Sequence, residues 1–240
     1  MSASPRPDSP DAAVRFPERI AAVFDIEGTL FTHPMGRGFI EYASSHGRKP
    51  QALAYYASIF PIYLLSKIGL MPREYVNTLA IERMAGLLRG YDLRRAEPFI
   101  DWVAEGYILP SGRKDVLEAW NRHRGMGHLM LIASGGLAPC VERIGRRLGA
   151  EGTAATEMEL RNGVYTGRLA SPVVIGKEKA ARTLELILRL GVRVDWSASY
   201  TYADSFHDMH LLELAGHPTA VNPDPKLRRA AAERGWRIMD

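Results

Sequence analysis

The 240-residue chain reads as an α/β protein: a doubly wound, Rossmann-like parallel sheet that carries a helical cap inserted after its first strand. Three observations predict this. Four short apolar runs each stop abruptly at polar residues, helical spacing fills the chain between the later runs, and residues 32–109 break the alternation with helical spacing and no convincing strand.

Residues 1–18 are rich in Pro, Ser and Asp and lack the apolar centre of a secretory signal, so they are expected to form a disordered leader, with the domain beginning near Glu18. Arg19–Phe24 is the first apolar run and ends in Asp25-Ile-Glu-Gly-Thr29. A strand buried on both faces has this form, because apolar residues follow one another without alternation and polar ones appear only where the chain leaves the sheet. Residues 19–31 and 110–240 are assigned to the core domain and 32–109 to the cap. Within the cap, Arg73–Leu88 and Ala96–Glu105 have helical spacing. Between Lys49 and Lys67 stand 17 uncharged residues, fewer than the roughly 20 that span a bilayer, and they include Pro61 and polar positions. The expectation is a buried or half-buried pair of cap helices without stable membrane insertion, and the alternative is a surface that touches a membrane or a lipid-like substrate.

The later runs are His128–Ala133, ended by Ser134-Gly-Gly; Ser199–Ala203, ended by Asp204-Ser; and Thr219–Val221, ended by Asn222-Pro. Helical spacing covers Lys114–Arg124, Pro139–Leu148, Glu178–Leu190 and Met209–Ala215. Met158–Gly167 alternates around Asn162-Gly163, the signature of a β-hairpin. In a doubly wound sheet the carboxyl ends of the strands open on one crevice, so the polar residues that end these runs are expected to converge there.

Composition narrows the function classes. A 46% hydrophobic, 24% charged chain is ordinary for a packed globular protein. The formal charge is +4, but the basic residues are scattered or paired with acids, so nucleic acid is not an expected partner. The single Cys140 cannot close an intramolecular disulfide and has no His or Cys at metal-ligand spacing, which fits a reducing, cytoplasmic compartment. His207 and His210 lie three apart with no third soft ligand nearby and read as solvated side chains. Nothing in the sequence sets an oligomeric state.

Four motifs follow one another in the order Asp25-Ile-Glu-Gly-Thr29, Ser134-Gly-Gly136, Lys179 in Gly176-Lys-Glu-Lys179, and Ala203-Asp-Ser-Phe-His-Asp208. On these motifs, over residues 19–30 and 111–230, the chain resembles the haloacid dehalogenase (HAD) superfamily, nearest to its phosphoserine-phosphatase-like branch, subfamily IB. The resemblance implies a Mg²⁺-dependent phosphatase that hydrolyses a small-molecule phosphomonoester through an aspartyl-phosphate. Such a reaction needs a positioned nucleophile, neutralised charge and a proton for the leaving group. By resemblance, Asp25 attacks phosphorus, Glu27 acts as general acid and then base, and Thr29, Ser134, Gly135, Gly136 and Lys179 hold the phosphate. Lys179 also faces Asp25, with Lys177 of the same turn as its competitor. Mg²⁺ would be held by Asp25, the backbone carbonyl of Glu27 and Asp204, with Asp208 touching the ion or standing just behind it.

Two departures bear on function. Most phosphatases of the family carry Asp where this chain has Glu27, although the same Asp-Ile-Glu-Gly-Thr string occurs in the enolase-phosphatases of methionine salvage. Phosphoserine phosphatases carry a substrate-binding Glu nine residues after the nucleophile, and here that position is Pro34, which argues against phosphoserine. His33, Arg37 and Glu41 are the polar residues placed to read a leaving group, and Tyr55, Tyr56 and Tyr63 hint at a larger or less polar substrate. Two other functions stay open: a catalytically inert HAD-fold binding or regulatory protein disabled by Glu27, and a dehalogenase-type hydrolase, which the Asp204 and Asp208 pair and the second acid at position 27 disfavour.

Overall fold

The computed structural model describes residues 16–240, so most of the expected leader lies outside the described residues. The part that lies inside is not leader. The Arg193 amide donates to the Pro17 carbonyl at 3.0 Å, and β1 (Glu18–Arg19) pairs in parallel with a second two-residue strand, Arg193–Val194.

After β2 (Ala21–Phe24) come the helices of the inserted segment: α1 (Met35–Ser45), α2 (Lys49–Lys67), α3 (Arg73–Ala85) and α4 (Leu93–Asp101), the last running on through a π-helical stretch, Trp102–Ile108. The chain then alternates through α5 (Lys114–Gly125), β3 (Leu129–Leu137), α6 (Ala138–Leu148) and β4 (Gly152–Thr156). A hairpin of β5 (Met158–Arg161) and β6 (Val164–Leu169) follows, turning on Asn162 and Gly163, both at positive φ. The remaining elements are α7 (Lys177–Leu190), β7 (Arg193–Val194), β8 (Tyr200–Ala203), a tight helical turn at Phe206–Asp208 that opens α8 (Met209–Leu212), β9 (His217–Val221), α9 (Pro225–Arg234) and β10 (Arg237–Met239).

The main sheet has the order β10-β9-β8-β2-β3-β4, and every pairing is parallel. The chain builds outward from β2 through β3 to β4 and then returns to β8 on the other side, so the winding reverses between β2 and β8. Ligand crevices open at such a reversal. The two faces of β2 explain its unbroken apolar run: Ala22 and Phe24 join one apolar cluster with Met130, Ile132 and Val141, while Ala21 and Val23 join another with Leu131, Leu186 and Leu211. Burial on both faces leaves no position for a polar residue.

Sequence patterning missed β4, α9 and β10. β4 is Gly-Thr-Ala-Ala-Thr, too small-sided to read as an apolar run. α9 has no long apolar stripe, but its start carries a legible signal: Pro225 at the first position and Asp224 as cap, accepting from the amides of Lys226 and Leu227, each at 2.9 Å. The helix expected over Met209–Ala215 stops at Leu212.

The inserted segment shares its apolar core with one face of the sheet. Phe31, Met35, Phe39, Leu88 and Phe99 belong to the same cluster as Phe24 and Val141. Arg143 of α6 adds ion pairs to Asp101 at 2.7 Å and Glu97 at 3.3 Å.

The segment 50–66, expected as a buried or half-buried pair of helices, forms one half-buried helix instead of a pair. α2 is one continuous 19-residue helix through Pro61, and Ala52 is its buried residue. Pro61 costs the helix the hydrogen bond to the Ala57 carbonyl, and both residues lie on the exposed side, where water can take that carbonyl. Among the described residues no helix is long and apolar enough to cross a membrane.

Candidate active site

Asp25 is the first residue beyond β2, its amide donating to the Tyr202 carbonyl at 3.0 Å. The chain then folds back on itself: the Gly28 amide donates to the Phe31 carbonyl at 2.8 Å and the Phe31 amide to the Ile26 carbonyl at 2.9 Å. Gly28 has φ +83°, and a Cβ there would collide with the Asp204 carboxylate, so glycine is required twice over. Thr29 is fully buried beside it, its hydroxyl 3.5 Å from Asp204 Oδ1.

Lys179 enters from the first turn of α7. Its Nζ lies 2.8 Å from Asp25 Oδ1 and 2.7 Å from Asp208 Oδ1, and all three residues are buried. Asp204 follows β8 directly, and Asp208 closes the helical turn after it. Carboxylate oxygens of Asp25, Asp204 and Asp208 all lie within 4.8 Å of one another. Lys177, the competitor at the same turn, is exposed, and of the two lysines it is Lys179 whose Nζ reaches the carboxylates.

Four buried or half-buried carboxyl groups therefore surround one ammonium, an imbalance visible in each group. Burial pushes Asp25 upward against the pull of Lys179. Burial, then the carboxylates of Asp25 and Asp208, push Asp204 up to about 8. Burial pulls Lys179 down, but Asp208 and Asp25 more than offset it and hold the ammonium protonated above its ordinary value. Burial pushes Glu27 up to about 7 even though its Oε1 accepts from the Met35 amide at 3.0 Å. The surplus of negative charge, the spacing and the all-oxygen donor set suit a hard divalent cation such as Mg²⁺.

Ser134, Gly135 and Gly136 face this cluster from the end of β3, in a different form from the expected strand-to-helix turn. The strand runs on through them to Leu137, with its register against β4 broken between Ala133 and Leu137, and neither glycine has positive φ. Both glycines lie close against side chains instead: a Cβ would stand 2.9 Å from Ile175 Cγ2 at position 135 and 2.8 Å from Met35 Cε at position 136, so either side chain would have to shift. The Ser134 hydroxyl accepts from the Gly136 amide at 3.1 Å. Thr156, which sequence reading passed over, braces this segment from behind: its buried hydroxyl donates to the Gly135 carbonyl at 2.8 Å and accepts from the Val174 amide at 3.1 Å.

These groups open on a cavity of about 650 Å³ floored by Asp25, Glu27, Ser134 and Lys179. Its opposite wall comes from α1, α2 and α3 and includes Arg37, Tyr55, Tyr56, Phe60, Tyr63 and Asn77. Of the expected leaving-group readers, Arg37 lines the cavity; Glu41 and His33 do not, and His33 bonds to the Tyr107 carbonyl at 3.2 Å. His207 lines the cavity and His210 is exposed, so the two do not converge. Asn77 was missed because nothing distinguishes one polar residue of a periodic helix from its neighbours.

The chain is 40% identical to a putative hydrolase of Mycobacterium leprae over 225 residues, covering 92% of this chain and 72% of that one. It is 28% identical to the phosphoserine phosphatase SerB1 of Mycobacterium tuberculosis, again over 225 residues, covering 92% and 70%. A crystal structure of a protein of unknown function from Bordetella pertussis Tohama I superposes with a TM-score of 0.79 at 25% identity, over 93% of this chain and 99% of the other. The family model for haloacid dehalogenase-like hydrolases matches residues 22–213, a span that holds all four motifs and every carboxylate of the cluster, and the chain belongs to that family.

Proposed function

We propose that this protein is a Mg²⁺-dependent phosphatase that hydrolyses a small phosphomonoester through an aspartyl-phosphate on Asp25. The observation that carries the proposal is Lys179, whose ammonium is shared at 2.8 and 2.7 Å by a strand-end carboxylate and by the carboxylate of the turn after β8. Asp25, Asp204, Asp208 and the Glu27 carbonyl would hold the cation, which when bound offsets the charge of the carboxylates and the phosphate. Lys179 screens Asp25 from the incoming phosphate and faces the charge that develops on it. The Ser134 hydroxyl and the close-packed backbone of Gly135 and Gly136 bind the phosphate oxygens. As the bond from Asp25 oxygen to phosphorus forms, the bond to the leaving oxygen breaks, and Glu27, kept protonated near neutrality by its burial, delivers its proton there. The carboxylate so formed then takes a proton from the water that cleaves the aspartyl-phosphate.

Phosphoserine phosphatase activity belongs to the Mycobacterium tuberculosis relative by name. For this chain, Pro34 in place of a substrate-binding Glu and the aromatic cavity wall favour a less polar phosphomonoester. The hydrogen bond from Met35 to Glu27 favours a fitted glutamate over a disabled aspartate, and so favours turnover over an inert binding protein. A phosphomonoester panel assayed with and without Mg²⁺, for wild type and Asp25→Asn, tests the reading. Metal-dependent phosphate release abolished by the substitution is expected; no release from any member by the wild type would refute it.

A further inference from the structure

α2 is apolar around its whole circumference, yet it sits on the surface. Ala52, Tyr55, Ile59, Ile62 and Ser66, at alternating spacings of three and four, form the side turned to the protein and are buried or half-buried. The other side is equally apolar and faces solvent: Leu53 is 59% exposed, Phe60 63% and Leu64 54%, and the strip continues past the helix end through Ile68 and Leu70. A helix apolar on all sides belongs either in a protein core or against lipid. At 1.5 Å per residue the strip is about 28 Å long, larger than the scattered apolar residues normal on a soluble surface.

Charge and polar detail select the occupant. Between Glu41 and Glu74 every charged residue is basic: Arg48, Lys49, Lys67 and Arg73. Lys49 and Lys67 stand at the two ends of α2, where long side chains can reach a headgroup layer while their stems lie along apolar surface, and Lys67 lies 5.2 Å from the Tyr63 ring centroid. Tyr56 and Tyr63 have the amphipathic character favoured at a membrane interface. The hydroxyls of Ser58 and Ser66 donate to the helix's own carbonyls of Tyr55 and Tyr63, at 2.8 and 2.7 Å, and so need no water. A face made to meet another protein would carry a polar rim; here Arg37, Glu41, Ser44 and Ser45 stand beside Tyr56 at the Lys49 end, while residues 60–65 carry no charged or amide side chain.

The same helix forms a wall of the active-site cavity. Tyr56, Phe60 and Tyr63 are exposed on the outside and also line the space above Asp25 and Glu27, so the apolar strip and the cavity are continuous. We propose that α2, with Ile68 and Leu70 after it, seats on an anionic membrane surface without crossing it and admits a phosphomonoester carried by a lipid to the cavity. The substrate half of this inference rests on the phosphatase reading; the docking half does not.

The two halves are tested separately. Docking is read by flotation of the full chain, as Asp25→Asn so that no turnover intervenes, with vesicles of phosphatidylcholine alone or mixed in equal parts with phosphatidylglycerol. The anionic vesicles should carry the protein, less so as salt rises, and L53Q/L64Q/I68Q/L70Q in the same background should weaken binding by about tenfold or more. Those four positions lie outside the cavity lining, and Gln keeps helix propensity at the two within α2. Protein that stays free of both vesicles, or a quadruple variant that binds like the parent, overturns the docking surface. So does a dimer in sedimentation that the four substitutions abolish while vesicles bind neither protein, since the strip would then belong to a second copy. The substrate half is read with active protein, comparing phosphate release from phosphatidic acid in the anionic vesicles with release from p-nitrophenyl phosphate. The quadruple variant should lose about tenfold or more on the lipid, in line with its lost binding, and keep its rate on the soluble ester. Release from the ester but none from the lipid by wild type overturns the lipid substrate. Release from neither overturns the phosphatase reading and leaves the flotation result to decide the docking surface.

Discussion

Shortening Glu27 by one methylene tests whether this glutamate is a fitted part or a poor aspartate. Its Oε1 accepts from the Met35 amide at 3.0 Å, and Met35 opens α1 behind Pro34, which supplies no side-chain cap. Glu27 therefore caps the first helix of the inserted segment from within the active site. In Glu27→Asp the carboxyl group withdraws by about 1.5 Å, one carbon–carbon bond, and the contact opens to roughly 4.5 Å, beyond hydrogen bonding. Met35 is fully buried, so its amide would be left without a partner. An unpaired buried donor and a lost hydrogen bond to an acid together cost about 2 kcal/mol, which for a chain of this size lowers Tm by roughly 4–8 °C. The general acid is displaced as well, and kcat should fall about a hundredfold. Thermal melts in EDTA and phosphate release in Mg²⁺ measure the two effects. Glu27→Gln separates them: its amide oxygen can still accept from Met35, so Tm should stay near that of wild type while turnover is lost. If Glu27→Asp melts with wild type and turns over as fast or faster, the capping argument is wrong.

Lys179→Met should cut kcat by about two to three orders of magnitude and, in EDTA, destabilise the fold by roughly 3–5 kcal/mol by leaving buried carboxylates uncompensated. Part of that stability should return with Mg²⁺ in the same melts. Gly28→Ala forces a Cβ into Asp204 at φ +83°, and should lower stability by about 1–3 kcal/mol with loss of Mg²⁺-dependent activity, read by melting and phosphate release. His123, held at 2.9 Å by both His128 and Tyr202 and pulled down to about 4 by burial and by His128, sets a pH dependence away from the active site. Its folded value lies below the ordinary 6.5, so its contribution is complete above 6.5 and is lost as pH falls from there toward 4, by an upper bound of about 3 kcal/mol. Urea titrations across that window should show a shallower slope for His123→Gln than for wild type; equal slopes would refute the assignment.

The parts of the site that read most clearly in the sequence are those that end buried strands. Asp25, Ser134 and Asp204 each follow an unbroken apolar run, and a doubly wound sheet brings such positions together whatever the loops do. Lys179 and Asp208 were legible through their spacing to those motifs. Thr156 and Asn77 were not, because a threonine that braces a neighbouring strand and an asparagine on a helix wall are ordinary residues until the chain is folded around them. Composition read α2 as buried or half-buried but as a pair of helices, and it could not say which half of the uncharged run faces outward. β4 escaped because alanine, glycine and threonine form a strand only when a neighbour such as β3 supplies the ladder.

The single apolar cluster that runs from Phe24 through Met35 to Phe39 and Phe99 limits how the active site can open. A lid hinged as one rigid piece would have to tear that cluster apart and break the Arg143 ion pairs to Asp101 and Glu97 with it. α1 and α4 are instead anchored to the sheet as fixed masonry. α2 and α3 join the same cluster, through Ala52 and through Met84 and Ala85, and α2 carries the aromatic wall, so substrate entry and the exposed strip belong to one helix.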